Sequence, residues 1–272
     1  MKTIIIATDF SSTADNALDY GIAMAKKINA DITLFHVYQI PIATTNDTPI
    51  VIVAEEDMRK AAEKNLSRLK SEIESKEGNL LKVNTELRIG DIVTELEEFG
   101  QKVQPFAIIM GSNWHSGIDQ ALFGSITLKS IRHITTSIIA VPPAAKFKEI
   151  KKVGFACDYK KVVETTPIIT IKELVETFNA ELHIINVNKE THTAATKETS
   201  LVQNAFRDIS PSYHFIKDET VEDGVSNFAE INQIDLLVAI PKKHNLWDSL
   251  FHKSATKQLV FHSHIPVLCI HE

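Results

Sequence analysis

"KTIIIATDF", residues 2–10, is an apolar run that opens on a lysine and closes on Asp9. It returns at residues 151–159 as "KKVGFACDY", closed by Asp158. A short apolar run rich in β-branched side chains and bounded by polar ones reads as a buried strand. The next apolar run is also written twice. "ADITLFHV" ends at Val37 and "AELHIINV" at Val187, 28 and 29 residues after their aspartates. "FAIIMG" (106–111) corresponds to "DLLVAI" (235–240), and "SIIAVP" (137–142) to "PVLCIH" (266–271). Two copies of one unit of about 130–145 residues fit the usual size of a domain. The boundary falls in "PPAAKFKEI" (142–150), where two prolines stop a strand and lead into a short polar linker. The expected domains are therefore 1–145 and 150–272.

Between the apolar runs the sequence turns to helical period. The first half is expected to run as a strand over 3–8, a helix over 12–28, a strand over 31–37 and a long charged helix over 54–75. A strand over 81–88, a helix over 92–103, a strand over 106–110, a helix from about 124 and a strand over 137–141 complete it. "SSTAD" offers hydroxyls to cap the first helix, and Gly90–Asp91 introduces the helix at 92. Strands separated by helices require parallel pairing through right-handed crossovers, hence an α/β layered fold. The second half repeats the order with a shorter segment after its second strand. "SIIAVP" and "PVLCIH" close the two sheets, and an uncovered edge strand tends to pair. The two edges are expected to cover each other within one chain, as an intramolecular pseudo-dimer. A further homodimer is compatible with this arrangement.

Composition excludes several classes. Twenty-nine Lys and Arg against 35 Asp and Glu leave a net charge of −6, so no overall basic field attracts nucleic acid or anionic lipid. The apolar start is too short for a signal peptide, and no run reaches the roughly 18 residues of a membrane span, so a cytoplasmic location is expected. Cys157 and Cys269 both sit in apolar runs and read as small buried hydrophobes rather than a disulfide. His262 and His264 in "HSH", with His244, His252 and His271 nearby in sequence, read as polar residues around the last strand, not as metal ligands. The charged stretch 55–76 reads as a helix solvated on one face, and Trp247 and Phe251 as core. Neither a Gly-x4-Gly-Lys-Ser/Thr loop nor a Gly-x-Ser-x-Gly elbow occurs.

In open parallel sheets, ligands bind beyond the carboxyl ends of strands, where the strand order reverses. With strand one central and strand four beside it, that crevice lies between Asp9 and the loop after Gly111. Gly111 lets the chain turn and approach a ligand, and Gly124–Ser125 offers free N–H groups and a hydroxyl at a helix start, a natural anion site.

"ATDFS", "LFHV" and "MGSNWHSGIDQALFGSITLKSIRHITTSIIAVP" resemble the universal stress protein family in its tandem two-domain form. The resemblance spans essentially the whole chain, more fully in 1–143 than in 151–272. It implies two open parallel five-stranded sheets of strand order 3-2-1-4-5 with helices on both faces, the adenine nucleotide alpha hydrolase-like fold. Nucleotide-binding members carry Gly-x2-Gly-x9-Gly-Ser/Thr after strand four. Gly111 and Gly124–Ser125 stand at that spacing, but Trp114 replaces the middle glycine. The resemblance places Asp9 against adenosine, the Val37 backbone against adenine, and the loop and helix start against phosphates. ATP or AMP is thus expected in the first domain only, weakened by Trp114, and no cofactor is required. In the second half, Pro241 near the loop start and His252 at the counterpart of Gly124 act against a phosphate cradle. The implied function is a cytoplasmic stress-response protein that binds and regulates, with an unidentified protein partner, and does not turn over substrate. Two other readings stay open: a structural or protein-interaction module with no nucleotide site, and a slow ATP hydrolase or phosphate-transferring stress protein.

Overall fold

The computed structural model describes residues 2–40, 51–112, 125–159, 166–188, 197–241 and 263–271. The apolar run that opens the chain forms β1 (Thr3–Ala7), with Ile4, Ile5 and Ile6 fully buried. The Ser11 side chain accepts from the Ala14 N–H at 3.3 Å and starts α1 (Ser12–Ile28). Asn29, at a left-handed φ of 52°, ends that helix and turns the chain into β2 (Asp31–Tyr38). The charged helix α2 (Val51–Glu77) and a 3-10 turn (Gly78–Leu80) lead to β3 (Val83–Ile89). Asp91 caps α3 (Ile92–Val103), accepting from the N–H groups of Val93 and Thr94. β4 (Ala107–Gly111), α4 (Ser125–His133) and β5 (Ile138–Val141) complete the first half.

The second half runs β6 (Lys152–Ala156), α5 (Ile168–Phe178), β7 (Glu181–Asn188), α6 (Lys197–Ala205), β8 (Ser212–Lys217), α7 (Val221–Ile231), β9 (Leu236–Ala239) and β10 (Val267–Cys269). The shorter segment expected after its second strand is α6. The left-handed caps recur as well: Asn179 ends α5 as Asn29 ends α1, and Gln233 precedes β9 as Gln104 precedes β4.

The strands form one ten-stranded sheet in the order β3-β2-β1-β4-β5-β10-β9-β6-β7-β8. Each half therefore has the order 3-2-1-4-5, parallel throughout. The two edges meet antiparallel, Ala140 opposite Val267, Ile139 opposite Leu268 and Ile138 opposite Cys269. The expected sheets thus fuse through their fifth strands and hide both edges. Strand bounds move by one or two residues at several ends. β4 keeps Gly111 as a strand residue, in register with Val141, so Gly111 does not make the expected turn.

Apolar clusters fill both faces of the sheet and run through both halves. One packs α1, α2, α5 and α6 on the sheet, and the other α3, α4 and α7. On α2, Ala62, Leu66, Leu69 and Ile73 make the buried stripe, while four i,i+4 ion pairs line the wet side. Exposed pairs of that kind stabilise by only a few tenths of a kcal/mol each, so the apolar stripe holds the helix down. The segment between β5 and β6, polar by composition, is fastened rather than loose. The buried Asn16 amide donates to the carbonyls of Pro142 (2.9 Å) and Ala145 (3.0 Å), and Lys146 Nζ donates to Asn16 Oδ1 at 2.7 Å. Phe147 meets Tyr20 edge to face at 5.2 Å. Cys157 and Cys269 are buried and form no disulfide, and burial pushes the Cys269 thiol up to about 12.

Candidate functional site

The site is set by how β1 ends. β1 pairs β2 on one side and β4 on the other, with Ala7 level with Phe35 and Ile6 level with Ile109. β1 ends at Ala7, so Thr8 and Asp9 follow at the sheet end where β2 carries Val37 and β4 carries Gly111. The sequence-selected Asp9, Val37 and Gly111 therefore share one end of the sheet. After β1 the chain passes Phe10 at a left-handed φ of 62° and swings into α1. The turn is tied three ways. Thr8 N–H donates to Phe35 O at 3.0 Å, Phe10 N–H to Thr8 Oγ1 at 3.0 Å, and Ser11 N–H to Asp9 Oδ1 at 3.0 Å. Asp9 is left exposed beyond the strand, with its carboxylate anchored to the start of the helix.

Two further side chains shape this end. The His36 ring donates through Nδ1 to the Thr8 carbonyl at 2.7 Å, and stacks at a tilt on Phe10, 4.5 Å between centroids. Thr127 Oγ1 donates to the Gly111 carbonyl at 2.8 Å. That bond holds the first turn of α4 against the end of β4, so the α4 N–H groups begin beside Gly111. Lys129, one turn further, lies 3.0 Å from Asp91 Oδ2 at the α3 start, and this contact holds the Asp91 carboxyl below its ordinary range. Gly124, Trp114 and the loop 113–124 lie outside the described residues, and Ser125 is placed only as the first residue of α4.

Gly111 has a packing reason of its own. A Cβ there would stand 2.7 Å from Thr13 Cγ2 and 2.8 Å from the Thr13 carbonyl oxygen, in the first turn of α1. Sequence reasoning assigned the glycine to a ligand and missed the helix lying against it. His36 and Thr127 were missed too. The available signal was the repeat itself: Asn186, at the counterpart of His36, donates to the Cys157 carbonyl at 2.8 Å, the counterpart of Thr8.

The second half copies the turn but not the cradle. Tyr159 repeats the left-handed turn at φ 56°, and Asp158 is exposed like Asp9. The counterpart of Gly111 is Ile240, with Pro241 next in the chain. Tyr159 stacks on Phe215 at 5.7 Å, with planes 17° apart. His252, together with His244, His262, Trp247 and Phe251, lies outside the described residues; His264 sits at a bend and His271 is buried. Among the described residues, no group of three or more His, Cys, Asp or Glu is arranged to hold a metal ion. No described helix is long and apolar enough to cross a membrane.

Comparison with known proteins converges on one family. Residues 1–142 match the model of the universal stress protein family. A universal stress protein of Methanocaldococcus jannaschii is 25% identical over 145 residues, covering 53% of this chain and 84% of that protein. The solved structure of a universal stress protein from Archaeoglobus fulgidus aligns with a TM-score of 0.76 at 18% identity, over 99% of this chain and 96% of that one. A functionally unknown protein from Pseudomonas aeruginosa aligns at 0.62 and 11% identity, over 99% and 92%. At such identities the structural likeness is one of fold.

Proposed function

The chain belongs to the universal stress protein family, and from that premise we propose that its first half binds an adenine nucleotide, ATP or AMP, and that the protein acts in a stress response by binding and regulation. In this reading residues 1–145 and 150–272 are two domains of one kind, the second degenerate, working in the cytoplasm with a protein partner. The observation that supports it is that exposed Asp9 follows β1 at the same end of the sheet where Thr127 fastens the start of α4 to Gly111. A nucleotide laid across that crevice presents its ribose to Asp9 and its base to the Val37 backbone. Its phosphates reach Gly111, Gly124 and Ser125, where the free N–H groups of a helix start favour anions. The Asp9 carboxylate is held by the Ser11 N–H at the adenosine end, away from the phosphates, which suits positioning rather than turnover.

The test is calorimetric titration of the intact chain with ATP and AMP, beside mass analysis of ligands that purify with it. Asp9→Ala weakens binding and Asp158→Ala leaves it unchanged. The reverse pattern overturns the assignment to the first half, and no binding by the native chain removes the nucleotide reading altogether.

A further inference from the structure

Beneath α7, on the face of the sheet away from α5 and α6, two histidines from neighbouring strands meet. His183 Nδ1 on β7 lies 3.1 Å from His214 Nε2 on β8, and the rings stack 5.3 Å apart with planes 19° from parallel. Phe228 of α7 covers both, 4.5 Å from His214 and 6.4 Å from His183. His183 is only 9% exposed, and its Nε2 has no hydrogen-bond partner among the described residues. Glu181 Oε2 stands 3.6 Å from that nitrogen, beyond hydrogen-bond reach.

A nitrogen-to-nitrogen contact of this length needs one N–H and one lone pair. With both rings protonated, two N–H groups face each other, the bond is lost and two like charges sit within one partly buried contact. The surroundings do little to offset this. On β7, Glu181 favours protonation of His183. On β6, Lys152 opposes it, with its ammonium bonded to the Asn232 carbonyl at the end of α7 (3.1 Å). Asp235 accepts from the Lys151 and Lys152 backbone N–H groups. The buried residues of α7 are Gly224, Val225 and Ala229, none of them titratable, and its Asp223 and Glu230 are exposed.

We propose that the His183–His214 pair is a proton-operated latch: it ties β7 to β8 beneath α7 while at least one ring is neutral, and acidification that protonates both rings releases α7 and the outer strand β8. Burial lowers the pKa of each ring, and for His214 the neighbouring His183 adds to the effect. The folded state thus favours neutral rings. Its stabilisation is complete above the ordinary histidine value of about 6.5 and is lost as the pH falls below it, where the unfolded chain binds more protons. The first half lacks the device. Glu86 pairs with Phe35 as His214 pairs with Ile185, and Glu86 instead bonds Arg88 at 2.6 Å beside Phe99. The latch therefore belongs to the second half, and its release uncovers the face of α7 that carries Val225, Phe228 and Ala229.

The test is hydrogen exchange on the intact chain, expressed as protection factors, between about pH 7.5 and about pH 5, with NMR titration of the two imidazoles. Protection of the α7 and β8 amides should fall by about tenfold or more across that range. The α1 and β1 amides should hold. His214→Gln, which keeps a neutral hydrogen-bonding group, should remove the acid loss. Should that variant fail to fold, the native titration decides. Release of α7 that coincides with double protonation supports the latch. Rings that both titrate without it, an acid loss that persists in folded His214→Gln, or no acid loss in the native chain overturns it.

Discussion

Gly111→Ala separates the two reasons a glycine can stand at the end of β4. The new Cβ would lie 2.7 Å from Thr13 Cγ2, 2.8 Å from the Thr13 carbonyl oxygen and 3.1 Å from its carbon. A methyl group can rotate away. A backbone carbonyl cannot, because the first turn of α1 is fixed by the Ser11 cap and packed on the sheet through Ala17 and Leu18. Either that turn or the end of β4 must shift, and overpacking of this kind costs about 1–3 kcal/mol. For a chain of this size each kcal/mol moves the melting temperature by about 2–4 °C, so a fall of about 2–12 °C is expected. The assay is thermal unfolding monitored by circular dichroism, without nucleotide. Thr13→Ala in the same chain should restore only part of the loss, because it removes the methyl and leaves the carbonyl. An unchanged melting temperature, with nucleotide binding abolished, would show that Gly111 serves the ligand and not the helix.

Asn16→Ala should lower stability by about 1–3 kcal/mol, since it strips the donors from the Pro142 and Ala145 carbonyls and the acceptor from Lys146; an unshifted urea midpoint would contradict that role. Trp114→Gly, which restores the missing glycine of the phosphate loop, should strengthen ATP binding by about tenfold or more and adenosine binding less, by returning charge-assisted hydrogen bonds. Equal gains for the two ligands would place Trp114 against the base instead. The β5–β10 pairing makes the two halves tumble together, so nitrogen-15 relaxation should give one correlation time, and two distinct times would break the continuous sheet.

Much of the fold could be read in advance because its signals are local. Each strand is a short apolar run, and Ser11 and Asp91 announce the helices they cap. The repeat fixed which runs correspond, and with it the meeting of the two fifth strands. What escaped reading depends on contacts between distant residues. Asn16 lies 126 residues from Pro142, so a segment polar by composition gave no sign that a buried amide would hold it down. His183 and His214 come together only through the parallel register of β7 and β8, which brings residues 31 positions apart into contact.

Gly111 shows the limit most sharply, because a turn, a ligand and a close helix all ask for the same residue. The other half carries Ile240 at the same position. There α5 begins only at Ile168, after Pro167, whereas α1 begins at Ser12; counted back from Asn179 and Asn29, Ile168 stands where Leu18 stands in α1. In the first half the carbonyl of Thr13 leaves no room for a Cβ at Gly111, so the glycine answers to the helix start as much as to any phosphate.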